Sequence, residues 1–187
     1  MERKNVLVIS GKDQKLTGDI FRFLHKIGLH PVEPQDRFPG GVSDPHEALQ
    51  AAINATCAIV ILLTGDDEAK RRYILNDDGE DEAKLQHRWY ILDDDGEKEL
   101  YPSPQTRLNV LFGAGVAFAT RPDNTILVKR GHLRPCSYFA DRRCVELGDT
   151  LERRYAFIEM LRSVGCVVDL SSNEWIDVGD FSDPDSP

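Results

Sequence analysis

The sequence predicts an α/β fold: a mainly parallel sheet covered by helices on both faces. Three observations carry this prediction. Apolar runs alternate with amphipathic segments along most of the chain. The run Cys57–Leu63 is apolar throughout, as a strand buried on both faces must be. A chain of 187 residues, 29% charged and 41% hydrophobic, is long enough for one well-packed domain of ordinary soluble composition.

The first element is "NVLVIS", a β-branched run ending at Gly11. After "GKDQK", Leu16, Ile20, Phe23, Leu24 and Ile27 recur with a helical period, and Gly28 suits the helix C-terminus. "HPVEP" is a short second strand, and "QDRFPGGVS" is a Gly/Pro loop. In "DPHE", Asp44 is the N-cap, Pro45 takes the first helical position and Glu47 is placed for a capping box. "CAIVILLT" follows as the central strand. Ser103 and Pro104 are expected to open the helix that carries "RLNVLFGAGVAFAT". Then come the strand "NTILVK", a loop with a short strand at Cys144–Leu147, the helix "LERRYAFIEMLRSVG" and a last strand, "CVVDL".

The alternation breaks once. "YILNDDGEDEAKLQHRW" and "YILDDDGEKE" are near-copies beginning at Tyr73 and Tyr90, each a short strand running into an Asp-Asp-Gly turn. They predict a β-ribbon inserted at about 68–102. "DDDGE" lacks the alternating ligand spacing and twelfth-position glutamate of a calcium loop, so it is a solvated turn. The net charge of −9 concentrates here: between Asp66 and Glu99 stand 13 acids and 6 bases. Residues 173–187 are expected to form an acidic C-terminal tail, leaving 1–172 as the domain.

Composition excludes several function classes. No basic stripe offers a track for phosphates, so duplex DNA or RNA is not expected as a partner. No apolar run is long enough to cross a bilayer, and "MERKNVLVIS" lacks a signal peptide's long apolar region and cleavage site; a cytoplasmic protein is expected. The four cysteines have no C-x-x-C spacing and the five histidines are scattered, which argues against a metal site. Cys57 and Cys166 lie in apolar runs and read as buried thiols.

In a parallel α/β sheet, ligands bind beyond the carboxyl ends of the strands. Those ends are Ser10–Asp13, Glu33–Ser43, Thr64–Asp67 and Lys129–His132, and the useful groups there are Ser10, Gly11, Lys12 and Asp13, then Thr64, Gly65, Asp66 and Asp67. Glycines admit a nucleotide to the backbone, helix starts hold phosphate, and paired aspartates take ribose hydroxyls or a metal. Turn formation and capping explain the same residues equally well. There is no phosphate-binding G-x-x-x-x-G-K-[ST] loop, and "GAGVAF" lacks the third glycine and preceding strand of a dinucleotide fingerprint.

The order of these pieces is more specific than any one of them. "VLVISGKDQKLTGDIFRFLHKIGLHPV", "AIVILLTGDD", "RLNVLFGAGVAF" and "LRSVGCVVD" together resemble the prokaryotic TIR-like family of nucleotide-binding proteins, which includes TIR domains of CBASS- and Pycsar-type antiphage effectors. The family pattern is an apolar strand then H-G-x-D, later L-T-P-D-D, then N-V-x-F-E-x-G. Gly11 and Asp13 match the first motif; Thr64, Asp66 and Asp67 the second, with Gly65 in place of its proline; Asn109, Val110, Phe112 and Gly115 the third.

The resemblance implies a flavodoxin-like, three-layer TIR-like fold with a five-stranded sheet. It implies NAD or a related nucleotide as ligand, held by Ser10, Gly11, Asp13, Thr64, Asp66, Asp67, Arg107 and Asn109. It makes "DRFPGGVSD" the loop that flanks the pocket and mediates assembly, with a second copy or a partner effector or sensor protein as the binding partner. Active members cleave the nicotinamide–ribose bond of NAD. Here Ser10 replaces the motif histidine and Gly113 stands at the motif glutamate. The departing nicotinamide leaves an oxocarbenium-like centre that a carboxylate stabilises or captures, and glycine does neither. No acid lies between Glu99 and Asp123. The expectation is therefore a nucleotide-binding or assembly module that has lost NADase activity. The alternative is an active glycohydrolase using a displaced acid such as Glu97, Glu99, Asp66 or Asp67.

Overall fold

The computed structural model describes residues 4–34, 44–69, 103–133 and 142–183. Its strands are β1 (Asn5–Ile9), β2 (His30–Val32), β3 (Ala58–Leu63), β4 (Asp67–Ala69), β5 (Ser103–Gln105), β6 (Thr125–Lys129) and β7 (Cys144–Glu146). Its helices are α1 (Gln14–Lys26), α2 (Pro45–Ala55), α3 (Leu108–Thr120) and α4 (Leu151–Ser163). The central sheet has the order β2-β1-β3-β6-β7, and every pairing in it is parallel. β3, apolar and buried along its whole length, is the middle strand, as its sequence requires.

The two faces of the sheet carry separate cores. On one face Val6, Val8, Val60 and Val128 pack under α1 and α4, with Ile20, Phe23, Leu24, Phe157 and Leu161 descending from the helices. On the other face Leu7, Ile9, Ile59, Ile61 and Leu127 pack under α2 and α3, against Leu49, Ile53, Val110, Ala114 and Ala117. The alternation of side chains along each strand assigns its residues to one core or the other. This is the three-layer α/β fold expected from the sequence.

Local chemistry sets the element ends. The Asp13 carboxylate accepts the Leu16 N–H at 2.9 Å and opens α1; Gly28, at φ +78°, turns the chain out of it. Asp44 accepts the His46 N–H at 2.8 Å and opens α2, with Pro45 at its first position.

Two expectations are corrected. Ser103 and Pro104 do not begin a helix: Ser103–Gln105 is β5, paired antiparallel with β4, and α3 starts at Leu108 after Arg107, which makes no side-chain cap. Proline's fixed φ and missing N–H suit a two-stranded edge as well as a first helical turn, and pairing with Asp67–Ala69 decides for the strand. "CVVDL" is not a strand either; β7 is the fifth strand of the sheet. Cys166 is buried and Val167 is 58% exposed, while the Asp169 N–H reaches the Ile27 carbonyl at 2.9 Å. The segment thus seals the C-terminal end of α1 rather than extending the sheet. Most of the repeat ribbon lies outside the described residues, but its two feet, β4 and β5, form an antiparallel pair.

Residues 173–183, acidic in sequence, fold back onto the core through Trp175 and Phe181, both buried against Phe23 at ring-centroid distances of 6.5 and 5.6 Å. Arg154 fastens them. Its side chain is 3% exposed and donates to the carbonyls of Trp175 at 3.3 Å, Val178 at 2.7 Å and Gly179 at 3.0 Å. It also pairs with Asp149 at 2.8 Å and lies 4.5 Å over the Phe181 ring. Replacing Arg154 with Met keeps the apolar stem but leaves those carbonyls without a donor. Urea unfolding of R154M should show a loss of about 3 kcal/mol, with new protease sensitivity confined to residues 171–183.

Candidate functional site

Beyond the carboxyl ends of β1 and β2 lies an open cavity of about 630 Å³. Ile9, Ser10 and Gly11 form one wall, and Glu33 and Pro34 at the end of β2 form the next. Asp44, His46 and Leu49 come from the start of α2, and Asn109, Phe112 and Gly113 from the first turns of α3. The volume is within the ordinary range for a small-molecule site. Its place is also the expected one, at strand ends in a sheet of order 2-1-3-4-5 when only the main strands are counted. The lining is mixed: two carboxylates, two amides, a hydroxyl and an imidazole stand beside apolar residues.

Gly113 stands among them. A Cβ built there would stand 3.1 Å from Ile9 Cγ2 and 3.4 Å from its Cδ1, so α3 approaches β1 as closely as a glycine permits. Val110, Ala114 and Ala117 continue the same small, buried face of the helix. Gly115 has open space around it and does not contribute to this approach. At the rim, Phe112 is 60% exposed and its ring lies 6.2 Å from that of His46.

Beside the cavity, a network of charged groups fixes the loop after β1. The Asp66 carboxylate accepts the Lys12 N–H at 2.8 Å and occupies the space where a Gly11 side chain would be. Asp13, besides capping α1, receives Arg130 Nη1 at 2.9 Å, and that guanidinium also donates to the Ser182 carbonyl. Asp67 lies between Lys12 at 4.0 Å and Arg107 at 3.8 Å. Thr64 Oγ1 is buried without a hydrogen-bond partner among the described residues.

A family model described as "CAP12/Pycsar effector protein, TIR domain" matches residues 5–141. The chain belongs to this TIR-domain family. No curated protein matches it. The match spans β1 to the residues just before β7, and so includes every element that lines the cavity.

The residues expected to serve this TIR domain's ligand divide into two groups. Ser10, Gly11 and Asn109 line the cavity. Asp13, Asp66, Asp67 and Arg107 do not line it; they hold the loops around it through the contacts described above, and Thr64 sits beneath Gly11. Gln14 and His46 line the cavity without any sequence signal for it, whereas Glu33 stands at a marked strand end, Asp44 closes the pocket-flanking loop and Phe112 belongs to the third motif, none of them named as a ligand contact. The signal for Glu33 was its position directly after a strand. His46 was legible only as a helix-start residue. The loop 36–43 and the acids Glu97 and Glu99 lie outside the described residues.

The contact between Gly11 and Asp66 is testable by a double-mutant cycle. Gly11→Ala should destabilise the protein by about 1–3 kcal/mol in urea unfolding, because its methyl group displaces the Asp66 carboxylate. In an Asp66→Ala background most of that cost should vanish, since the obstacle is gone.

Proposed function

We propose that this TIR domain is a nucleotide-binding module of antiphage signalling that takes NAD or a related nucleotide without hydrolysing it. The observation that carries the reading is Gly113. It lies in the wall of the cavity at the position where the family pattern F-E-x-G has its acid, and it is pressed against Ile9. Ser10, Gly11 and Asn109 supply polar groups suited to a ribose or phosphate, and the exposed His46–Phe112 pair offers aromatic faces to a base. Family membership supports the role in defence. A second copy, or a separate effector or sensor protein, would convert binding into a signal.

One observation favours a second reading. Glu33 and Asp44 both line the cavity, so carboxylates are present although none stands on α3. Asp44 is engaged with the His46 N–H as a helix cap. Glu33, half-buried at the end of β2, is a second carboxylate that an active glycohydrolase would use.

Nicotinamide release from NAD, with calorimetric NAD binding alongside, separates the two. The binding-module reading expects saturable binding and no release by the natural protein. Asn109→Ala should then weaken binding about tenfold, the worth of one good hydrogen bond. Gly113→Glu, paired with Ile9→Ala to remove the methyl group 3.1 Å away, should gain release by about a hundredfold or more over background. Release by the natural protein that disappears in Glu33→Gln would establish the second reading instead. No binding and no release by any variant would leave the module without this ligand.

A further inference from the structure

At the amino ends of the strands, opposite the cavity, two cysteines distant in sequence come together. Cys57 immediately precedes β3, and Cys166 follows α4; their Sγ atoms are 3.7 Å apart. Cys57 is half-buried and Cys166 is buried, and both are free thiols. Their backbones are pinned. The Cys57 N–H donates to the Asn5 carbonyl at 2.8 Å, and the Cys166 N–H to the Leu161 carbonyl at 3.1 Å. Asn124 ties the two segments to each other: its Nδ2 donates to the Cys57 carbonyl and to the Val164 carbonyl, each at 3.1 Å.

We propose that Cys57 and Cys166 are an oxidation site, a thiol pair that a hydroperoxide converts into an intramolecular disulfide. With the main chain held by Asn124, side-chain rotation alone has to bring sulfurs 3.7 Å apart to bonding distance, about 2.0 Å. The surroundings divide the labour. The hydrogen bond from Cys166 favours the Cys57 thiolate, with a smaller contribution from the Arg121 guanidinium, while burial opposes it. The same hydrogen bond, together with burial, pushes the Cys166 thiol up. Cys57, the more exposed of the two, is the thiol a hydroperoxide reaches first, and the buried Cys166 is the resolving thiol.

The steps balance. The Cys57 thiolate attacks one peroxide oxygen, the O–O bond breaks, and the departing hydroxide takes a proton to leave as water; Cys57 becomes a sulfenic acid. The Cys166 sulfur then displaces the sulfenic hydroxyl as a second water, forming the S–S bond. One hydroperoxide is reduced by two electrons and two thiols are oxidised. The bond would join the start of β3 to the segment after α4, across 109 residues of sequence. Closing so long a loop restricts the unfolded chain strongly, so the oxidised form should resist unfolding. The nucleotide cavity lies at the other end of the strands and is not part of this inference.

The test treats the natural protein with hydrogen peroxide, blocks remaining thiols and maps peptides without reduction. The expected product is a peptide pair joined through Cys57 and Cys166, two hydrogens lighter than its parts and separated by dithiothreitol. The oxidised protein should melt at a higher temperature than the reduced one, and reduction should restore the original midpoint. Cys144→Ser should behave as the natural protein does. A Cys57 that ends as sulfinic acid, one that pairs with Cys136 or Cys144, or one that stays free in folded protein overturns the proposal. So does a cross-link that leaves the melting temperature unchanged.

Discussion

The site depends on how closely α3 approaches β1. Gly113 lets the helix backbone settle against Ile9, and both residues line the cavity between α3, α2 and the ends of β1 and β2. Glycine inside a helix costs about 1 kcal/mol relative to alanine. Here the cost is offset by dense packing of Val110, Ala114 and Ala117 on the sheet. Close packing and a wall without a carboxylate are therefore two consequences of one residue. A larger side chain at 113 must be accommodated by Ile9 and by the cavity together, so the pocket's floor and its chemistry cannot be altered independently.

The aspartates of the strand-end motifs illustrate how a binding pattern can be structural at the same time. Asp66 has one oxygen on the Lys12 N–H and fills the space above Gly11; Asp13 both caps α1 and pairs with Arg130. Arg130 is well buried, with its side chain 11% exposed, so its pairing with Asp13 is less screened than a surface contact. Through the Ser182 carbonyl it also reaches the folded-back C-terminal segment. The loop that forms a wall of the cavity is thus tied to α1, to the end of β3 and to residues 173–183. Its shape is fixed by these contacts before any ligand enters.

Periodicity made the fold largely legible. The helical spacing of Leu16, Ile20, Phe23 and Leu24, and the continuous apolar run of β3, each leave one solution in a parallel sheet. The two errors came where local signals are degenerate. "SPQ" satisfies a helix start and an edge strand alike, and only its partner in β4, more than thirty residues away in sequence, distinguishes them. "CVVDL" is apolar enough for a strand, yet the sheet edge is taken by "CVE" at β7. In the site, motif and strand-end residues were legible, whereas Gln14 and His46 were not. They reach the cavity by tertiary placement from separate elements, and neither belongs to a local pattern that names its role.

The foot of the acidic insert is anchored to the same loop. Asp67 begins β4, Arg107 follows β5, and Lys12 joins them from the loop after β1. Exposed ion pairs of this length contribute at most about 1 kcal/mol each, so they are not what fixes the foot. The β4–β5 ladder does that, together with the packing at Gly65, where a Cβ would come within 2.7 Å of Pro104 Cβ. The ladder also sets the register: Asp67 opposes Gln105, which places Arg107 two residues beyond the ladder and directly before α3. Since α3 brings Asn109, Phe112 and Gly113 to the cavity, the insert's foot stands less than two helical turns from those residues. The insert and the cavity therefore share one mechanical boundary, the short segment between β5 and α3.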